Sequence, residues 1–114
     1  SSAASDVYKR QIKGIAHITG GGLLENIPRI LPNECMANIK SRSWPILGLF
    51  QSIQRIGGIE NSEMFRTFNM GIGMIFIINQ EEVEAAFEIL SNLSDVYHIG
   101  RISKGKRVVN IDLL

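Results

Sequence analysis

Two stretches of this sequence set chemistry-bearing side chains beside glycine. The first runs from His17 to Pro32 and reads His-Ile-Thr-Gly-Gly-Gly-Leu-Leu-Glu-Asn-Ile-Pro-Arg-Ile-Leu-Pro. An apolar run, Ile12 to Ile18, precedes the glycines as a strand would. Leu23, Leu24, Ile27, Ile30 and Leu31 follow them at helical spacing. A strand, a glycine turn and a helix start can hold an anion. The first N–H groups of a helix lack internal partners, and glycine lets a ligand come close to them. The expectation is a phosphate on Gly20, Gly21 and Gly22, with the Thr19 hydroxyl donating to it; the alternative is a plain tight turn. Two familiar phosphate loops are excluded. No Lys occurs between Lys13 and Lys40 to complete a Gly-Lys-Ser/Thr ending, and Glu25 stands where a dinucleotide loop needs its last spaced glycine.

His17, just before the turn, is the candidate catalytic residue. It either meets a substrate and shuttles a proton, or is a satisfied imidazole at a strand end. His98, between Tyr97 and Ile99, reads as structural. Asn26 lies one helical turn beyond the glycines, where its amide can reach a ligand. Glu25 and Arg29, four apart, can simply pair with each other. The second stretch is Met64-Phe65-Arg66-Thr67-Phe68-Asn69-Met70-Gly71-Ile72-Gly73. Arg66 can grip a phosphate through two parallel hydrogen bonds, or meet a local carboxylate. Asn69 and Gly71 stand where a strand begins, and Gly71 and Gly73 suggest close approach by a ligand or another backbone.

No Ser/His/Asp triad, zinc constellation or carboxylate pair can be assembled, and the lone Cys35 has no partner for an internal disulfide. A reducing cytoplasm fits. The balance of 12 basic and 11 acidic residues, net +1, gives no electrostatic reason to expect nucleic acid or a membrane surface. The apolar run Met70–Ile78 is far shorter than the roughly 20 residues a membrane helix needs. With 114 residues, 45% of them apolar, the chain can build one core without disulfides or metal.

These residues must be positioned by alternating elements. Pro32-Asn33 stops the first helix, and Cys35–Lys40 alternates as a strand with Cys35, Ala37 and Ile39 on one side. Trp44-Pro45 opens a helix with Ile46, Leu49, Phe50, Ile53 and Ile56 on a buried stripe, ended by Gly57-Gly58. Asn61–Phe68 reads as a short helix capped by Asn61 or Ser62, and Met74–Ile78 as a buried strand. Gln80 to Asn92 reads as a helix behind an Asn79/Glu82 capping box. Val96–Ile102 and Arg107–Asp112 form a closing hairpin. The order predicts an α+β fold, layered as α/β: a mixed β-sheet with helices on its faces. A truncated sheet edge is expected to promote self-association. Residues 1–11 show no sustained periodicity.

The two long motifs resemble the phosphoribosylformylglycinamidine cyclo-ligase family, also called aminoimidazole ribonucleotide synthetase. Ile15–Pro32 matches its Ile-Ala-His-(Ile/Leu)-Thr-Gly-Gly-Gly and Glu-Asn-Ile-Pro-Arg-(Ile/Val)-Leu-Pro runs. Glu63–Met74 matches Glu-Met-Tyr-Arg-Thr-Phe-Asn-Met-Gly-(Ile/Val)-Gly-Met with Phe65 for the usual tyrosine. Ile99-Gly100 to Val108-Val109 is similar to the family's closing strands. The resemblance divides the chain into a non-matching segment, residues 1–11, and a C-terminal domain, residues 12–114, with the N-terminal ATP-binding domain expected to be absent.

The resemblance implies a cytoplasmic, homodimeric ligase of purine biosynthesis. With ATP and Mg²⁺ it closes formylglycinamidine ribonucleotide into 5-aminoimidazole ribonucleotide, releasing ADP and phosphate. ATP activates the formyl oxygen, and an amidine-side nitrogen attacks that carbon. The N-terminal domain supplies most metal and ATP contacts, so no metal ligand is expected in this fragment, which is expected to be inactive alone. His17, Thr19, Gly20, Gly21 and Gly22 would lie on the substrate cleft, with Asn26, Arg66, Asn69 and Gly71 along its walls. Phe65 removes a hydroxyl, so any substrate hydrogen bond attributed to the family's tyrosine there does not carry over to this chain. The alternatives are a domain of a related ATP-using enzyme, such as thiamine-monophosphate kinase or selenophosphate synthetase, or a non-catalytic ribonucleotide-phosphate-binding module.

Overall fold

The computed structural model describes residues 12–112. The segment expected not to match, residues 1–11, therefore lies outside the described residues. The fold is α+β, with its strands in two sheets. β1 (Ile12–His17) pairs antiparallel with β3 (Met74–Ile78), so that Ile15 faces Phe76 and His17 faces Met74. β2 (Cys35–Lys40) is the middle strand of a mixed sheet, between β4 (Gly100–Lys104) and β5 (Val109–Asp112). Along β2, Ala37 and Ile39 are buried in the core while Asn38 turns outward to donate to Ser103 Oγ at 2.7 Å. That alternation is the period of two the sequence predicts.

The closing hairpin does not form. β4 runs antiparallel and β5 parallel to β2, which separates them. The 105–108 loop crosses the start of β2 instead, with the Gly105 N–H on the Glu34 carbonyl at 2.9 Å and the Ala37 N–H on the Val108 carbonyl at 3.1 Å. Alternation in the sequence specifies which face of a strand is buried but not which strand lies beside it. β4 also begins later than expected, at Gly100, and residues 95–99 carry no regular element. At the far end the Ser41 N–H donates to Asp112 Oδ1 and the Ser41 hydroxyl to the Asp112 carbonyl, both at 2.6 Å. Those contacts pin β5 to the end of β2. The backbone N–H of Ser41 is the main reason the Asp112 carboxyl lies below the usual carboxylate range, with the Ser41 hydroxyl and the nearby Arg42 and Lys40 charges adding to it against desolvation.

The helices are shorter than their sequence patterns. The first breaks in two: α1 (Gly22–Asn26) and a 3-10 turn at Pro28–Ile30. Pro28 has no N–H to continue the α ladder, so the chain tightens, with the Ile30 N–H on the Ile27 carbonyl at 3.0 Å. The apolar positions still do their work, since Leu23, Ile27 and Leu31 are buried. α2 (Gly48–Gly57) starts three residues after Pro45 and ends at Gly58, whose φ is +61°. Its stripe is only partly buried: Leu49 is 66% and Ile56 84% exposed, while Ile53 is half-buried and Phe50 packs against the core, its ring 5.9 Å from that of Phe68. Helical spacing marks an apolar face but does not supply a surface to cover it. α3 (Asn61–Thr67) is preceded by Glu60 as its cap residue, and Asn61 is its first helical residue. After β3, a 3-10 turn at Gln80–Glu82 leads into α4 (Val83–Leu90) without a side-chain cap bond from Asn79.

Candidate functional site

The glycine turn is built from the inside by one side chain. Asn26 is buried, and its Nδ2 donates to the Gly22 carbonyl at 2.8 Å and is shared with the Thr19 and Gly20 carbonyls at 3.3 Å. Its Oδ1 accepts from the Thr19 hydroxyl at 3.4 Å and from Arg29 Nη1 at 3.5 Å. Three carbonyls around one amide end require the nitrogen there. In a trans peptide the C=O and N–H point opposite ways. Carbonyls drawn toward Asn26 therefore turn the N–H groups of Gly20, Gly21 and Leu23 away from it. Leu23 is fully buried, so only the amides of Gly20 and Gly21 face out where a ligand can reach them.

The three glycines consequently have three jobs. A Cβ on Gly20 would meet nothing within 4 Å. Gly21, at φ +99°, would set a Cβ 2.8 Å from Glu25 Cβ and 3.3 Å from Glu25 Oε1. Gly22, at φ +58°, is buried, and its Cβ would overlap the Phe65 carbonyl oxygen and stand 2.5 Å from that of Phe68. Gly22 is thus a packing glycine, and it brings the end of α3 against the turn. The expected phosphate mouth is narrower than three glycines: two outward amides, with the exposed Glu25 side chain beside Gly21.

The second motif lies alongside. The Ile18 N–H donates to the Gly73 carbonyl at 2.9 Å, tying the end of β1 to the start of β3. Asn69 Oδ1 accepts the Gly71 N–H at 2.9 Å, and the Asn69 carbonyl accepts the Ile72 N–H at 3.0 Å. Arg66 projects outward, its side chain 53% exposed and 3.7 Å from Glu63. An exposed pair of that length holds the guanidinium only weakly, so it can turn to another anion.

The Gly22 contact with the Phe65 and Phe68 carbonyls and the Ile18–Gly73 bond therefore set the motif of Thr19, Gly20 and Gly21 beside the motif of Asn69 and Gly71. Asn26 stands beneath them rather than among them. His17 is exposed and shares with Gly71 a largely apolar groove of about 1280 Å³ between the two sheets; Thr19, Gly20, Gly21, Arg66 and Asn69 are not part of its lining. Two residues that sequence reasoning passed over also belong to the framework. Arg107 Nε donates to the Pro28 carbonyl at 2.9 Å and Nη2 to that of Arg29 at 3.4 Å, clasping the turn that carries Asn26. Trp44 Nε1 donates to the Met70 carbonyl at 3.0 Å. Nothing in local spacing signals contacts spanning 79 and 26 residues.

Among the described residues, no three His, Cys, Asp or Glu side chains gather where they could hold a metal ion. None of the described helices is long and apolar enough to cross a membrane.

The sequence pattern of the family "AIR synthase related protein, C-terminal domain" matches residues 1–112. The chain belongs to that family. The match takes in the N-terminal eleven residues as well as the two glycine motifs. Among individual relatives, the phosphoribosylformylglycinamidine cyclo-ligase of Citrifermentans bemidjiense is 49% identical over 104 residues, 88% of this chain and 30% of that protein. The one from Geotalea daltonii is 54% identical over 94 residues, 82% of this chain and 27% of that protein. The one from Pseudothermotoga lettingae is 47% identical over 107 residues, 93% and 32% respectively. The chain thus spans about a third of the length of these relatives. The crystal structure of thiamine-monophosphate kinase from Stenotrophomonas maltophilia K279a superposes with a TM-score of 0.64, covering 91% of this chain and 32% of that one at 16% identity. At that identity the likeness speaks for the fold alone.

Proposed function

We propose that this chain is the substrate-side C-terminal domain of an ATP-dependent cyclo-ligase that converts formylglycinamidine ribonucleotide to 5-aminoimidazole ribonucleotide in purine biosynthesis. Identity near one half to cyclo-ligases supports that reading over a related kinase, whose likeness stops at the fold. The observation that carries it is the meeting of the two motifs, with Gly22 seated against the Phe65 and Phe68 carbonyls.

In this reading the outward amides of Gly20 and Gly21 and the Thr19 hydroxyl receive the substrate phosphate, and Asn26 holds them in place. Arg66 swings from Glu63 to add charge, and the exposed Glu25 carboxylate rotates off Gly21 as the phosphate arrives. Asn69 and Gly71 form the facing wall. His17 is the one candidate for proton transfer, at the rim of the groove it shares with Gly71. Gly22 shapes the turn without touching the ligand. ATP, with Mg²⁺, supplies activation of the formyl oxygen, and the groups that hold both belong mainly to the N-terminal domain of the whole enzyme. The homodimer and the cytoplasmic setting likewise belong to that whole enzyme.

Titrating the chain with formylglycinamidine ribonucleotide while following its amide NMR signals tests the reading. Shifts concentrated at Gly20, Gly21, Asn69 and Gly71 are expected, without ADP production when ATP and Mg²⁺ are added. Shifts confined to other surfaces would overturn the site, and turnover by the chain alone would overturn its dependence on a nucleotide-binding domain.

A further inference from the structure

Asn69, Met70 and Gly71 make a turn that its own sequence does not favour. Met70 has φ +56°, a left-handed conformation that a residue with a Cβ adopts only at a cost, and Gly71 follows at φ +97°. The Gly71 and Ile72 N–H groups close on Asn69 from within the turn. One group is left over: the Met70 carbonyl, in a residue only 4% exposed. A carbonyl in that position needs a donor, and a chain free to choose would flip the peptide toward water. The donor is the indole N–H of Trp44, 3.0 Å away in a buried contact.

Trp44 touches both halves of the site. Its ring meets Phe65 edge-on, with centroids 6.4 Å apart and planes at 88°, and the Phe65 carbonyl is the group packed on Gly22. A Cβ on Gly71 would lie 4.0 Å from Trp44 Nε1 and 3.8 Å from the Pro45 carbonyl, so Trp44-Pro45 is the wall behind the turn. Asn69 Oδ1 is committed to the Gly71 N–H, so the donor that Asn69 can offer a ligand is its Nδ2. Its direction follows from the turn.

We propose that Trp44 is a positioning residue: its indole N–H holds the left-handed Met70 peptide in place and thereby aims Asn69 Nδ2 and Gly71 at the ligand. This rests on the proposed substrate site for its purpose, though not for its geometry. The chain has a single tryptophan, which makes the test site-specific. In Trp44→Phe the edge contact on Phe65 is kept and the donor is lost. Hydrogen exchange at the Gly71 and Ile72 amides is expected to accelerate at least ~10-fold relative to amides of the β2–β4 pairing, and the Kd for formylglycinamidine ribonucleotide to rise about as much. Replacing Trp44 biosynthetically with 5-fluorotryptophan, which keeps the N–H, should restore both. Unchanged exchange at Gly71 and Ile72 in Trp44→Phe overturns the proposal. If that variant does not fold, the unmodified chain still decides: a protected indole proton supports the proposal and one exchanging at the free rate refutes it. A wild-type chain that shows this protection yet binds no ribonucleotide would refute the substrate site and leave the positioning role standing.

Discussion

Alanine placed in turn at the three consecutive glycines should give three different proteins. At Gly22 the new Cβ overlaps the Phe65 carbonyl, stands 2.5 Å from that of Phe68, and sits on a backbone at φ +58°. The left-handed conformation costs about 1–2 kcal/mol for a residue with a Cβ, and forcing α3 away from α1 adds about 1–3 kcal/mol of overpacking. Both partners are main-chain atoms in a core where Leu23 and Met64 are fully buried, so no flexible side chain can give way. The sum, about 2–5 kcal/mol, corresponds to a fall of at least roughly 10 °C in Tm for a domain of this size. At Gly21 the same conformational cost applies, and the neighbour is Glu25 Cβ at 2.8 Å on an exposed side chain. The expected loss there is about 1–3 kcal/mol. Gly20 meets nothing within 4 Å and has no positive φ. Gly20→Ala should therefore be neutral or stabilising by about 0.4–1 kcal/mol through the unfolded chain, while its methyl group intrudes on the outward amides and weakens substrate binding. Thermal unfolding followed by circular dichroism ranks the three, and a binding titration separates Gly20 from the others. Equal destabilisation by all three variants, or a Gly22→Ala protein as stable as Gly20→Ala, would refute the assignment of roles.

Asn26→Asp keeps the shape and removes the donor to three carbonyls, leaving a buried carboxylate against oxygen atoms. A loss of about 2–4 kcal/mol at neutral pH is expected, with partial recovery as pH falls and the new carboxyl protonates, read from urea unfolding at several pH values. Asp112 supplies the opposite sign. Its folded carboxyl lies below its ordinary value because of the Ser41 N–H, so its contribution is present above the unfolded pKa and lost as pH falls through the folded one. Asp112→Asn should abolish that acid-side loss without altering the neutral-to-alkaline profile; an unchanged acid limb in the variant would show that Ser41 does not favour the charged form.

Much of the architecture could be read before any coordinates. Cys35–Lys40 and Met74–Ile78 are strands with the bounds their alternation and apolar character gave, because period-two patterning and β-branched residues act locally. Gly58 ends α2 for an equally local reason, its φ of +61°. The chain segments that the pattern misjudged are those where a distant partner decides. α2 kept its apolar stripe but was covered only in part, Phe50 packing on the core while Leu49 and Ile56 stay exposed. The last two strands were consecutive in sequence and looked like a hairpin, yet β2 took the place between them. The first helix was cut short by Pro28, which was visible in the sequence but outweighed by the apolar spacing on either side of it.

At the site, residue types marked two separate stretches, and it was the family resemblance of their motifs that set Thr19, Gly20, Gly21, Gly22, Asn26, Asn69 and Gly71 on one expected cleft. Only the tertiary structure distributed their tasks. It set Asn26 beneath the turn as its internal support, made Gly22 a contact between two backbones, and left the Gly20 and Gly21 amides facing outward. It also drew in Trp44 and Arg107, whose partners lie 26 and 79 residues away. A one-dimensional pattern reports what a residue can bond. Whether that capacity is spent inside the fold or kept for a ligand depends on which carbonyls and amides packing brings within reach.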